Sequence, residues 1–356
     1  MGSMRVVLGV VALTLLGVGF WLGWRLHPAK YTSKPVSAQT VPGASIGDAS
    51  DDSSGAGATE VYAHNLMLRK GPSFRVYVRW LRGQLVRTKR NEVPSFDDSD
   101  SFYLNIDDGV LRANIGDLGN YLNSGGLGAS PLKNLTLWGD GAQLNIKGTL
   151  HKVVPLPVQI TGQLAIAPGN RIQFHVQKID VLKIPFKWIL GTVHITVQDL
   201  VGANKLPGLT VSGDDIFFDT EALLPPPHIR GRLTEIHIVN PDLEEVYGSA
   251  QADVTRVEQW RNFLRLKGGS LDFGKLTMHG VDLTMIDISN DAWFDLDLTN
   301  YQEQLVNGYT HMTPEAGLQI FMPDLGDIPA SAKAKNISLE WMKNRYAPVP
   351  KSVTQH

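Results

Sequence analysis

The chain has no cysteine among its 356 residues. That absence removes disulfide scaffolds, thiolate zinc sites, iron–sulfur clusters and cysteine nucleophiles together. Charge is scarce as well: 19% of the residues are Asp, Glu, Lys or Arg, against about 25% in an average soluble protein. Neither sign dominates, with 33 basic and 35 acidic residues. A nucleic-acid binder would be basic over a whole domain, so no nucleic-acid partner is expected. Turn formers, by contrast, are plentiful, with 35 Gly and 20 Pro.

One long apolar run is present, at the N-terminus. Residues 6–24 read VVLGVVALTLLGVGFWLGW, nineteen positions with no charge and only Thr14 polar. As a helix they span about 28 Å, close to the hydrocarbon thickness of a bilayer. Arg5 precedes the run, and Trp21 and Trp24 sit at its far end, where indoles favour the interface. A cleaved signal peptide needs a shorter core and small residues at the cut site, whereas this run ends in Trp24-Arg25-Leu26-His27-Pro28. The expectation is a short tail over 1–5 and an uncleaved transmembrane anchor over 6–24. The spacing of Gly19 and Gly23 is compatible with a homodimer through the anchor helix, although glycine is common in such helices. Arg25, Lys30 and Lys34 after the span argue for a cytoplasmic bulk under the positive-inside rule. The short Arg-bearing start and the polar stretch that follows argue for export. The reading taken is a single-pass membrane protein with the bulk of the chain on the periplasmic side.

Residues 25–60 are rich in Ser, Ala, Gly, Thr, Asp and Pro and lack the apolar content to offset ordering entropy, which predicts a flexible linker. Gly43-Ala-Ser45-Ile-Gly47 matches a hydrolase pattern, but neither flank is an apolar strand or helix, so it is a coincidence of composition. From Val61 the pattern has a period of two. Phe74, Val76, Val78 and Trp80 alternate with Arg75, Tyr77, Arg79 and Leu81, and Ile172, Phe174 and Val176 with Gln173, His175 and Gln177. Phe294 and Leu296 interleave with Asp295 and Asp297 in the same way. Helical signals are few: 115–123, 186–190 after Pro185, 241–248 with Pro first and Gly last, and 257–266. The fold class expected is mainly β (α+β), a strongly curled antiparallel sheet with a few short helices, preceded by one transmembrane helix. A composition shift near 255 divides a curled β domain over 61–254 from a β-rich extension over 255–342, with a tail over 343–356.

The candidate sites are modest. Ten histidines show no ligand spacing, and His151, His175, His194 and His237 read as solvent-facing strand residues. The acidic groups at Asp97–Asp100, Asp107–Asp108 and Asp287–Asp297 lack the oxygen pattern of a calcium loop. No metal or cofactor is expected, and no nucleophile–base pair recommends an enzyme. Residues 69–90 hold eight basic residues and no acid, interleaved with Phe74, Tyr77 and Trp80. Arg75, Arg79, Trp80, Arg82 and Arg87 are therefore candidates for contact with anionic headgroups. The plainer alternative is a strand whose arginines face water or are neutralised by the acidic run at 97–108. Ile172, Phe174, Val176, Leu182, Ile184, Phe186, Trp188, Ile189 and Leu190 form the densest apolar stretch. They line either an acyl-chain groove or an ordinary core.

The order of these segments carries a resemblance. QLNIKGTLHKVVPLPVQITGQLAIA, RIQFHVQKIDVLKIPF, LPGLTVSGDDIFFD and LLPPPHIRGRLTEIHIV follow one another between 143 and 240, after the helix at 116–123. This middle region resembles the LmeA-like lipid-binding proteins of the TULIP superfamily. The resemblance implies a curled sheet around a helix, holding phospholipid acyl chains on the nine apolar residues just named. Residues 255–342 have no counterpart in it. The function expected is a non-catalytic, membrane-anchored envelope protein that binds phospholipid or another acyl lipid. The alternative is an envelope scaffold with a solid β core.

Overall fold

A computed structural model of the chain describes residues 57–70, 75–89, 92–126, 130–152, 154–182, 195–202, 208–223, 226–249, 260–289, 291–329, 342, 344 and 347. The expected anchor at 6–24 and the linker to residue 56 lie outside the described residues, as do the helix expected at 186–190 and the tail's terminal residues. No helix among the described residues is long and apolar enough to cross a membrane. The described residues all fall within one compact unit, Asp52–His356.

Strands dominate, as the period-two patterns predict, but they divide between two sheets. The strands of the first are β1 (Thr59–Arg69), β2 (Arg75–Arg87), β3 (Phe102–Asn114), β10 (His228–Gly231), β11 (Leu233–Val239) and β12 (Asp242–Tyr247). It continues through β13 (Phe263–Phe273), β14 (Leu276–Asp287), β15 (Phe294–Asp297), β16 (Tyr309–Met312) and β17 (Leu318–Met322). Their spatial order is β11-β12-β3-β2-β1-β13-β14-β17-β16, with β10 on β3 and β15 on β1. The second sheet runs β4-β5-β6-β7-β9-β8, from β4 (Leu132–Asp140), β5 (Gln143–His151), β6 (Pro155–Ala167), β7 (Arg171–Val181), β8 (Leu209–Ser212) and β9 (Asp215–Phe218).

The expected single curled sheet is thus corrected: there are two sheets, and neither is strongly curled. The cause is local. After β3 the chain turns into helix α1 (Ile115–Tyr121), then a π-helical turn at Leu122–Gly126, and leaves the first sheet. Asn114 starts that helix, its side chain accepting from the N–H groups of Gly116 and Asp117. The next six strands form the second sheet before β10 rejoins the first. Three more short helices are α2 (Val197–Val201), α3 (Thr220–Leu223) and α4 (Tyr301–Val306). The strands after residue 255 pair directly with the start of the domain, Glu60–His64 of β1 lying against Phe263–Lys267 of β13.

Two helices expected from sequence are strands. Residues 242–247 form β12, and Phe263–Leu266 open β13. Pro and Gly bracket a strand as readily as a short helix, and cross-strand pairing with β3 and β11 decides the matter for β12. A second correction concerns Trp80. A bulge falls between Val78 and Trp80, so that they oppose Leu111 and Val110 in turn. Arg79 is the extra residue. Beyond it Leu81 and Leu85 point inward and are buried, while Trp80 moves to the face opposite Val78.

The first sheet's β1–β13–β14 half buries one core, with Leu266, Leu271, Leu283, Phe273 and Phe294 almost without exposure. Tyr301 of α4 caps it, donating to Asp97 at 2.6 Å and accepting from the Gly274 N–H at 2.9 Å. Gly274 sits in the two-residue β13–β14 turn at φ 55, where a glycine is favoured. Asp97, from the first acidic cluster, is therefore committed to the fold.

Asp324, just beyond β17, is 7% exposed and accepts from the Asp295 N–H at 3.0 Å. Burial, with Asp287, Asp291 and Asp295 nearby, pushes its carboxyl up to about 8. Between the unfolded value near 4 and that folded value, the native state keeps a proton that the unfolded chain has lost. Stability therefore falls as pH rises across this window, by an amount on the order of a few kcal/mol. In thermal melts from pH 5 to 8.5, Asp324→Asn is expected to flatten the decline relative to wild type. Parallel curves for the two proteins would refute the assignment.

Candidate functional site

A second core lies where the first sheet's β11 and β12 meet the inner face of the second sheet, and it is incompletely filled. A cavity of about 200 Å³ remains. Its floor comes from the second sheet, including Leu144, Ile146, Ile160, Leu164 and Phe174, and its roof from Leu111, Ala113 and Leu243 of the first. Side chains of α1, α2 and α3 close its side; Leu200 is buried, while Tyr121, Val201 and Leu223 are only half-buried. Tyr121 donates to the Leu223 carbonyl at 2.9 Å and so ties α1 to α3. A Thr196–Asp199 capping box starts α2, and Lys152 at 2.7 Å from Asp199 holds that carboxyl below its usual range, helped by the Thr196 N–H.

The walls are mostly aliphatic, with Tyr121, Phe174 and Phe218 aromatic and Ser130, Thr220 and Glu245 polar. Apolar cavities of about 150 Å³ stay dry and accept ligands of benzene size, so this one has room for a longer apolar group. Phe174 shapes it. The residue has 0% exposure and its ring lies over Gly162, where a Cβ would stand 2.6 Å from the ring edge. Glycine at 162 is what lets the ring settle against β6.

Of the apolar residues named from sequence, Ile172 and Phe174 line the cavity. Val176 is buried in the same core, though not on the cavity wall. Leu182 is half-buried past the end of β7, donating its N–H to the Pro157 carbonyl at 2.9 Å. Ile184, Phe186, Trp188, Ile189 and Leu190 lie outside the described residues. Sequence reasoning missed the roof from β3 and β12. Nothing in a strand's own alternation says which second sheet it will face.

The basic candidates on β2 do not form one open patch. Arg75 is ion-paired with Asp117, and Arg82 with Asp108 at 2.6 Å. Just before β2, Arg69 is held by Asp295 at 2.5 Å. Asp108 belongs to the acidic run expected to neutralise this block. Arg79 is exposed at the bulge, Arg87 and Trp80 half-buried. The strand histidines 151, 175 and 237 are exposed, His175 lying 2.8 Å from Asp215; His194 is outside the described residues. Among the described residues no group of three or more His, Asp or Glu side chains is placed to hold a metal ion.

One carboxyl stands among the lining residues. Glu245 of β12 stands between Leu243 and Tyr247 on the inward face, opposite Ile236 of β11 and Leu111 of β3. Glu245 is half-buried and lines the cavity. Tyr247 donates to its Oε2 at 2.9 Å. Burial pushes the Glu245 carboxyl up, against the opposing effect of that hydrogen bond, and pushes the Tyr247 hydroxyl well up too. Its neighbour Glu244 faces the other way and is paired with Arg112 at 2.7 Å. Searches against family models, curated proteins and solved structures returned no match for this chain, so its functional reading rests on this cavity.

Proposed function

We propose that this protein binds the apolar chain of a phospholipid or another acyl lipid, without catalysing a reaction on it, while tethered to an envelope membrane. The observation that carries the reading is the aliphatic cavity of about 200 Å³ between the two sheets. A void of that size left unfilled forfeits the dispersion contacts of its walls, and an apolar occupant restores them. Tyr121, Val201 and Leu223 at its side are half-buried, so the cavity lies close to the surface there. The apolar run at 6–24 and the linker after it support a domain tethered within reach of a bilayer. Since Arg69, Arg75 and Arg82 are engaged by carboxylates, headgroup docking through β2 falls mainly to Arg79 and is secondary.

The competing scaffold reading draws support from the edge strand β16, where Tyr309 and Met312 are 57% and 65% exposed. One experiment separates the two. Full-length protein in nanodiscs is irradiated with a phospholipid carrying a diazirine in its acyl chain, and the labelled peptides are mapped. Lipid binding is expected to label peptides of β5, β6 and β7. Label confined to the apolar run at 6–24 would favour the scaffold.

A further inference from the structure

Glu245 is a carboxyl placed where strand alternation calls for an aliphatic side chain. The row across the sheet through it reads Ile236, Glu245, Leu111 and Val78, the other three apolar. A carboxyl on an apolar wall needs partners, and shielding its charge from water is costly. Glu245 has one hydrogen bond among the described residues, to Tyr247 through Oε2. No cationic side chain among them is paired with it, although the adjacent Glu244 has Arg112. Glu245 lines a cavity whose other walls are mainly apolar, Ser130, Thr220 and Tyr121 being the other residues there with a polar group.

We propose that Glu245 is the polar anchor of this cavity and selects an otherwise apolar ligand carrying a hydrogen-bond-donating head, an amine or a hydroxyl. This rests on the cavity holding a lipid and adds which end chemistry it takes. An ammonium or hydroxyl gives Oε1 the donor it lacks. Binding an ammonium there also favours the ionised carboxyl, forming an ion pair in surroundings of low dielectric constant. A free carboxylate head would set acceptor against acceptor. Sites built around one buried polar group discriminate strongly between ligands that satisfy it and ligands that do not. Tyr247 engages Oε2 and so leaves Oε1 for the ligand.

The test compares three photoreactive alkyl probes of equal chain length, bearing a primary amine, a hydroxyl or a carboxylate. Full-length protein in nanodiscs is labelled with each at pH 7.5, and labelling of the cavity strands is read by peptide mass spectrometry. The amine and hydroxyl probes are expected to label at least tenfold more than the carboxylate. Glu245→Gln should narrow the gap between amine and carboxylate while keeping the hydroxyl probe. Glu245→Leu, made together with Tyr247→Phe so that no buried hydroxyl loses its acceptor, should bring all three level. Equal labelling of wild type by all three probes overturns the assignment of Glu245 and leaves the cavity standing. Failure of every probe to label the cavity strands overturns both.

Discussion

Phe174→Ala is expected to destabilise the protein by about 3–5 kcal/mol in equilibrium unfolding. Phe174 is 0% exposed at the junction of β6, β7 and β9, opposite Leu164 and Ile216. Truncation removes the transfer free energy of a buried ring and leaves a void that merges with the cavity of about 200 Å³ already beside it. The surroundings have little to collapse onto, which places the cost towards the upper part of that range. A saturating apolar ligand should recover part of the loss, because anything that binds only the folded state stabilises it by mass action. A loss below about 1 kcal/mol would mean that Phe174 is not packed as described.

Ile146→Trp is expected to do the reverse, holding stability within about 1 kcal/mol of wild type while cutting acyl-chain labelling of the cavity strands at least tenfold. Ile146 is a half-buried wall residue of β5, directly opposite Ile160 on β6. An indole there grows into space that is already open. In a tightly filled core the same enlargement would force off-rotamer side chains and backbone shifts at a cost of about 1–3 kcal/mol. The variant therefore separates a lipid-binding cavity from a solid scaffold core by the sign of two readouts. Unchanged labelling with a destabilised fold would contradict an open cavity.

Much of the β character was legible because one-sided burial leaves an alternation in the sequence. Ile172, Phe174 and Val176 are buried while His175 and Gln177 are exposed, as their spacing predicts. Ile115–Tyr121 was legible as a helix because Leu118 and Leu122 follow Ile115 at helical spacing. What could not be read was non-local. The pairing of β1 with β13 spans about two hundred residues, and β1 changes partner from β13 to β15 near Asn65, at φ 48. The bulge at Arg79 reversed the facing of Trp80 because one extra residue inverts a period of two. Glu245 was hidden for a related reason. On a helix over 241–248, Glu244 and Glu245 would read as a solvated pair; on a strand they face opposite sides, one towards Arg112 and one into the cavity.

The most direct measurement compares wild type and Ile146→Trp, both full length, by native mass spectrometry after release from nanodiscs under conditions that strip surface lipid. Wild type is expected to retain a single lipid, and the variant none, with extraction and fragmentation identifying the retained species as an acyl lipid. Retention by both proteins would place the lipid on the outer surface or the anchor, and retention by neither would leave the cavity without an acyl ligand. Either result contradicts lipid binding between the sheets.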